Sequence, residues 1–190
     1  MCAKQLNDKD VMNILIDTAL SNGATAADCV LSRSRGLSLT RRLGKDETIE
    51  RYEDFDTGLR VFVGNKIASV STNDNSETAI RDVAKRAVDM AKIAPQDDFS
   101  LIASQETLND FPIHNSISVD SYDEVEPSID IIRDRAKEVE DSALSVKGIT
   151  KSDGADASWG EGETLLMTSN GVFGSSKKSN HSVSVVVIAE

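Results

Sequence analysis

Two histidines, His114 and His181, are the only imidazoles in this 190-residue chain. Zinc-assisted hydrolysis needs nitrogen or sulfur ligands converging on one ion, with a carboxylate to take the proton of water. Neither histidine has a glutamate beside it or a second histidine one helical turn away. They read as isolated imidazoles, His114 in a connector and His181 at the start of the last strand. Asp153, Asp156, Glu161 and Glu163 surround Gly154, Gly160 and Gly162, a set of oxygen ligands that a hard cation could use. Their spacing departs from the EF-hand loop and no helix pair flanks them, so the stretch reads as a solvated turn between strands. The glycines make neither GxGxxG nor GxxxxGK[ST], and no serine sits in a GxSxG elbow. Lys177-Lys178 reads as a dibasic surface turn, and Trp159, the sole tryptophan, as a core or interface plug. The expected sets of catalytic, cofactor-binding and metal-binding residues in this chain are therefore all empty.

The composition narrows the remaining classes. Apolar residues make up 39% and charged residues 28%, which is ordinary for a chain that folds around a core. At 4%, aromatic residues are too few to build a platform for stacking bases, and a net charge of −11 opposes binding to a phosphate backbone. Arg33, Arg35, Arg41 and Arg42 are the candidate basic cluster, and their place on strands reads as solvated outer-face positions. Cys2 and Cys29 have no motif spacing, so a reducing compartment is expected. The first thirty residues lack the pattern of a secretory leader, and no run approaches the roughly 18 apolar residues of a membrane span. A cytoplasmic protein that binds neither membrane nor nucleic acid is expected.

The elements that would position any site follow from periodicity. Val11, Ile14, Leu15 and Ala19 recur at helical spacing, with Asn7 or Asp8 as cap and Gly23 as stop. DCVLSRSRGLSLTRRLG alternates about Gly36 and predicts a hairpin turned there, and KDETIERYED predicts a strand exposed on one face. Leu59, Val61 and Val63 alternate with Arg60 and Phe62 ahead of a Gly64-Asn65 turn. Asp74 and Glu77 have capping-box spacing before a stripe of Ile80, Val83, Ala84, Ala87 and Ala91 that ends near Ile93, with Pro95 beyond. Ile129, Ile132, Ala136, Val139 and Ala143 mark a further helix, with Pro127 at or before its first turn. Three strand stretches follow, with Asn170-Gly171 as hairpin turn. The last, Val183 to Ala189, is apolar on both faces and wants covering, which suggests a chain that continues. The fold class expected is α+β, a mainly antiparallel sheet with helices packed on one face. Residues 1–94 are expected to form a first lobe, 95–120 a connector and 121–190 a second, incomplete lobe.

The stretch GATAADCVLSRSRGLSLTRRLGKDETIERYEDFDTGLRVFVGNKIASVSTNDNS, followed by ASWGEGETLLMTSNGVFG and SVSVVVIAE, resembles the front part of the TldD/PmbA family, and its PmbA/TldE branch in particular. The resemblance runs from about Gly23 to Glu190. It implies a bacterial subunit of a proteolytic assembly, of a family linked to peptide-antibiotic maturation, antitoxin turnover and modulation of DNA gyrase. The implied partners are a TldD-like subunit or a second copy, and unfolded peptide substrates. TldD-type members hold zinc through an HExxxH helix and a later cysteine, and neither motif occurs here. The resemblance thus puts zinc in the partner and gives this segment the wall of a cleft. A non-enzymatic adaptor for gyrase or toxin–antitoxin proteins is the rival reading. The charge makes one outcome specific: duplex DNA should not be shifted by this chain even at low salt, and tight, salt-sensitive binding would contradict the electrostatic reading.

Overall fold

The computed structural model describes residues 6–104, 106–107 and 119–189. Cys2 and His114 lie outside the described residues. In chain order the elements are α1 (Asp8–Ser21), β1 (Ala26–Arg42), β2 (Lys45–Val63), β3 (Lys66–Thr72), α2 (Glu77–Ile93), α3 (Ile129–Leu144), β4 (Ile149–Thr168) and β5 (Phe173–Ala189). The strands form one antiparallel sheet in the order β3-β2-β1-β4-β5, so the fold is α+β as expected. By their contacts the described residues fall into two compact units. One lies within Met1–Ser32, Phe55–Val119 and Thr164–Ser176, the other within Arg33–Asp54, Asp120–Glu163 and Lys177–Glu190.

In the first unit the helices start where the sequence offers an oxygen to an orphan N–H. Asn7 caps α1, its side chain accepting from the Asp10 N–H at 2.9 Å. The cap of α2 is Ser76, whose hydroxyl accepts from the Ala79 N–H at 3.4 Å. Asp74, expected to cap the helix, instead accepts from the Ser76 N–H at 2.8 Å, a short Asx turn that places the true cap. The buried stripes Val11, Met12, Leu15 and Ala19 of α1 and Ile80, Ala84, Ala87, Val88 and Ala91 of α2 then close on Ala27, Cys29, Leu31, Leu59 and Val61 of the sheet. Alanine on α2 lets the helices approach closely, and each buried leucine contributes about 1.5–3 kcal/mol of burial. The β2–β3 hairpin turns at Gly64-Asn65, with Val63 opposite Lys66 and Gly64 at φ 59°, as the sequence predicts.

In the second unit Leu37, Leu39, Ala157 and Trp159 of the strands pack on Ile132 and Ala136 of α3. Trp159 is a core residue here, 2% exposed. The hairpin expected at Gly36 is not found. Strand β1 runs unbroken through that position, and the turn comes at Leu43-Gly44, with φ of 50° and 80°. Gly36 has a different purpose: a Cβ there would lie 2.5 Å from the ring of Tyr52, so the glycine makes room for a tyrosine laid flat on the strand. The expected turn around Gly154, Gly160 and Gly162 is likewise strand, inside β4, and the three expected C-terminal strand stretches are two long ones. At Gly160 a Cβ would stand 3.3 Å from Oδ1 of Asn180 and 3.4 Å from the Tyr52 hydroxyl. From Lys45 to Asp54, strand β2 is exposed at every residue, where alternation had suggested one solvated face.

Replacing Gly36 by alanine must push the Tyr52 ring off the strand. The half-exposed ring can swing away, so the expected loss is about 1 kcal/mol, read as a fall in melting temperature of about 2–4 °C. In a Tyr52→Ala background the same substitution should cost less than half as much. Equal losses in both backgrounds would contradict the packing role assigned to the glycine.

Candidate functional site

Helix α3 begins at Ser128, whose hydroxyl accepts from the Ile131 N–H at 3.4 Å, immediately after the buried Pro127. Its inward stripe continues from Ile132 and Ala136 to Glu140, each 0% exposed. A carboxylate in that register must be fully partnered, because an unpaired buried charge costs several kcal/mol. The partners come from the β1–β2 turn. Glu140 accepts from the Leu43 N–H at 2.7 Å and the Gly44 N–H at 3.1 Å, and from Nε of Arg41 at 3.1 Å. Two consecutive turn N–H groups make a small anion-binding concavity, and the helix fills it with its own carboxylate. Burial pushes the Glu140 carboxyl up, but hydrogen bonds from Ser152, Gly44, Leu43 and Arg41 outweigh it and hold it below the usual carboxylate range. Arg41, expected on the solvated face, is only 9% exposed. Its Nη1 also stands 3.5 Å from Asp46, which accepts from Nε of Arg133 at 2.7 Å.

The acidic residues of β4 do not converge. Asp153 stands 3.8 Å from Arg42, Asp156 accepts from Thr40 Oγ1 at 2.7 Å, and Glu163 lies 3.8 Å from Lys177. Glu161 accepts from Nε of Arg35 and, at 3.1 Å, from the Tyr122 hydroxyl. Bonding to Arg35 draws the Glu161 carboxyl below its ordinary range, against burial, with Tyr122 assisting. Burial first, and then the bond to Glu161, raises the Tyr122 phenol. Arg35 also pairs with Glu126 at 3.1 Å, so it too is not the freely solvated residue expected. Cys29 is buried among apolar neighbours, and burial with the nearby Asp28 pushes its thiol up to about 12, which makes it inert at neutral pH. Among the described residues no three His, Cys, Asp or Glu side chains stand together as a metal site would require.

His181 lies within β5, with its Nδ1 2.7 Å from Nη1 of Arg135 on α3. A guanidinium can only donate, so the imidazole accepts through Nδ1. Arg135, Glu138, Val139, Ser142, His181 and Val183 line a groove of about 540 Å³ between α3 and β5. Beside it runs the outer edge of β5, the last strand in the sheet order, where Val183, Val186 and Ile188 are exposed. The sequence carried a signal for Glu140, an acidic residue four and eight places beyond two apolar stripe positions. It carried none for the Arg135–His181 pair, which lies 46 residues apart.

Comparison with known proteins places these elements in a lineage. Residues 27–91 match PmbA/TldA metallopeptidase domain 1, and residues 122–190 match the PmbA/TldA metallopeptidase central domain. The chain belongs to the TldD/PmbA family. It is 26% identical over 187 residues to a metalloprotease PmbA homolog of Haemophilus influenzae, covering 98% of this chain and 40% of that protein. It is 27% identical over 186 residues to metalloprotease PmbA of Escherichia coli O157:H7, covering 96% and 40%. The chain thus spans about two fifths of the length of these relatives. The fold resembles a crystal structure from Bacteroides thetaiotaomicron described as a candidate modulator of DNA gyrase, with TM-score 0.76 and 21% identity over 98% of this chain and 42% of that one. It also resembles TldE from Thermococcus kodakarensis, with TM-score 0.72 and 13% identity over 95% and 39%. The described residues do not assemble a zinc site: Nδ1 of His181 is taken by Arg135, and the β4 carboxylates are separately engaged.

Glu140 yields a sharp expectation. With its carboxyl held low in the folded state, its contribution is present above the unfolded value near 4.3 and is lost as pH falls through the lower folded value. Glu140→Gln should destabilise by about 3 kcal/mol at pH 7, as loss of one partner of a buried pair does. Its stability should also vary less with pH on the acid side, as followed by urea unfolding. An unchanged acid-side profile would contradict the role of the carboxylate.

Proposed function

We propose that this chain is the region of a PmbA/TldE-type subunit that receives unfolded peptide and the partner subunit, while a TldD-type subunit supplies zinc hydrolysis. Membership of the family supports the assembly. The observation that carries the peptide-handling part is the outer edge of β5, with its exposed Val183, Val186 and Ile188. An extended peptide adds to such an edge through main-chain hydrogen bonds that do not depend on its sequence, which suits a subunit serving many unfolded substrates. The separately engaged carboxylates and the inert Cys29 support a structural rather than a water-activating part for these residues.

The adaptor reading, binding of gyrase or toxin–antitoxin proteins without hydrolysis, draws on the description of one structural neighbour as a candidate gyrase modulator. The two separate in one experiment. A PmbA-type protein carrying this region is mixed with a TldD-type subunit and a disordered protein substrate, with and without a chelator. Cleavage that requires both subunits and stops with chelator is expected. Stable binding of a folded target, with no cleavage in any combination, would overturn the proposal in favour of the adaptor.

A further inference from the structure

We infer that the groove between α3 and β5 is a recognition pocket for an acidic residue of an extended peptide, with Arg135 as its anchor and Val139 and Val183 receiving the adjoining aliphatic surface. The inference rests on the peptide-handling reading above and gives it a substrate chemistry.

The charge pattern comes first. In this acidic chain, Arg35, Arg41, Arg42, Arg51, Arg60, Arg81 and Arg133 each stand within 4.0 Å of a carboxylate. Arg135 has instead a neutral nitrogen, Nδ1 of His181, at 2.7 Å. That contact uses one of five donors, and among the described residues no ion pair within 4.0 Å takes the others, in a groove of about 540 Å³. A carboxylate is the group whose geometry takes two parallel donors of a guanidinium, and such bonds are about twice as strong as neutral ones. His181 steadies the guanidinium plane from the strand side. Glu138, one helical turn along on the same groove wall, disfavours a second acid nearby, so the pocket reads a single acidic residue and not a polyanion.

The edge supplies the backbone. Ser179 donates its N–H to the Ser121 carbonyl at 2.9 Å, and the Asp123 N–H donates to the Ser179 hydroxyl at 2.8 Å, so a segment of the chain already lies against β5 near its middle. Strand alternation turns the N–H groups of His181, Val183, Val185 and Val187 the same way as that of Ser179. Ile188, of the other parity, has its carbonyl within 3.3 Å of the Thr150 hydroxyl on β4, which confirms the inward sense of the even positions. A peptide continuing the line of Ser121–Asp123 would bond to His181 and Val183 and lower alternate side chains into the groove against α3. Charge complementarity to Arg135 decides which side chain is favoured there.

The test uses fluorescein-labelled nonapeptides of alternating threonine and valine with glutamate or glutamine at the centre, titrated against this chain by fluorescence anisotropy. The glutamate peptide should bind about tenfold more tightly, a difference of about 1.4 kcal/mol. Arg135→Gln should abolish the preference, and Glu138→Gln should keep or widen it. Melting of both variants by circular dichroism checks that they fold, and raising salt should shrink the preference of the unaltered chain. Equal binding of the two peptides, or a preference that survives Arg135→Gln, overturns the pocket while leaving peptide handling intact. Failure of both peptides to bind overturns both readings. Self-association of the chain that excludes both peptides also overturns the pocket, because a second copy would then be the occupant of the edge.

Discussion

The carboxylate of Glu140 inside the β1–β2 turn is the constraint on which the second unit depends. A left-handed Leu43 is a strained choice for a turn, since a side chain at φ 50° is disfavoured relative to glycine. The turn is held because two of its N–H groups, which would otherwise need water, find a fully buried acceptor on α3. The same carboxylate fixes Arg41, and Arg41 with Arg133 fixes Asp46. One ion pair thereby sets how the hairpin meets the helix. The apolar contacts of Trp159, Leu37 and Leu39 with Ile132 and Ala136 follow from that placement and supply the larger share of the burial.

Function in this segment emerges from what that frame leaves exposed. Among the described residues, Arg35, Arg41, Arg51, Arg60 and Arg133 are each held by a carboxylate, whereas Arg135 meets an imidazole. The groove beside β5 combines the Arg135 charge with the outer edge of the strand and exposed valines. Catalysis by water activation would demand the reverse arrangement, several unpaired ligands turned toward one point. The carboxylates along β4 are spread over separate cations and hydroxyls. Under the proposed function, zinc chemistry falls to the partner subunit, and this region contributes shape and main-chain hydrogen bonding.

Much of the fold is legible in the sequence where the signal is local. The stripes of α1, α2 and α3, and the Gly64-Asn65 and Asn170-Gly171 turns, depend on neighbours within a few residues. Glycine misleads because two unrelated causes select it. At Gly36 the cause is Tyr52, and at Gly160 Asn180 together with Tyr52, residues reached only through strand pairing, so a single sequence presents each glycine as an ordinary turn signal. Leu43-Gly44 was hidden for the opposite reason, as leucine seldom adopts a left-handed backbone and its compensation comes from Glu140, about a hundred residues further on. Arg35 and Arg41 looked solvated because their partners Glu161 and Glu140 are equally remote. The Arg135–His181 pair is likewise a product of tertiary placement, as neither residue carries a spacing that announces the other.

The central claim is that these residues hold peptide and do not themselves break it. The most direct measurement incubates this chain alone with a disordered protein and added zinc, and follows both association and the appearance of new amino termini. The account predicts association without any new termini. Zinc-dependent turnover by this chain alone, abolished by substituting His114, His181 or the acidic residues of β4, would contradict it.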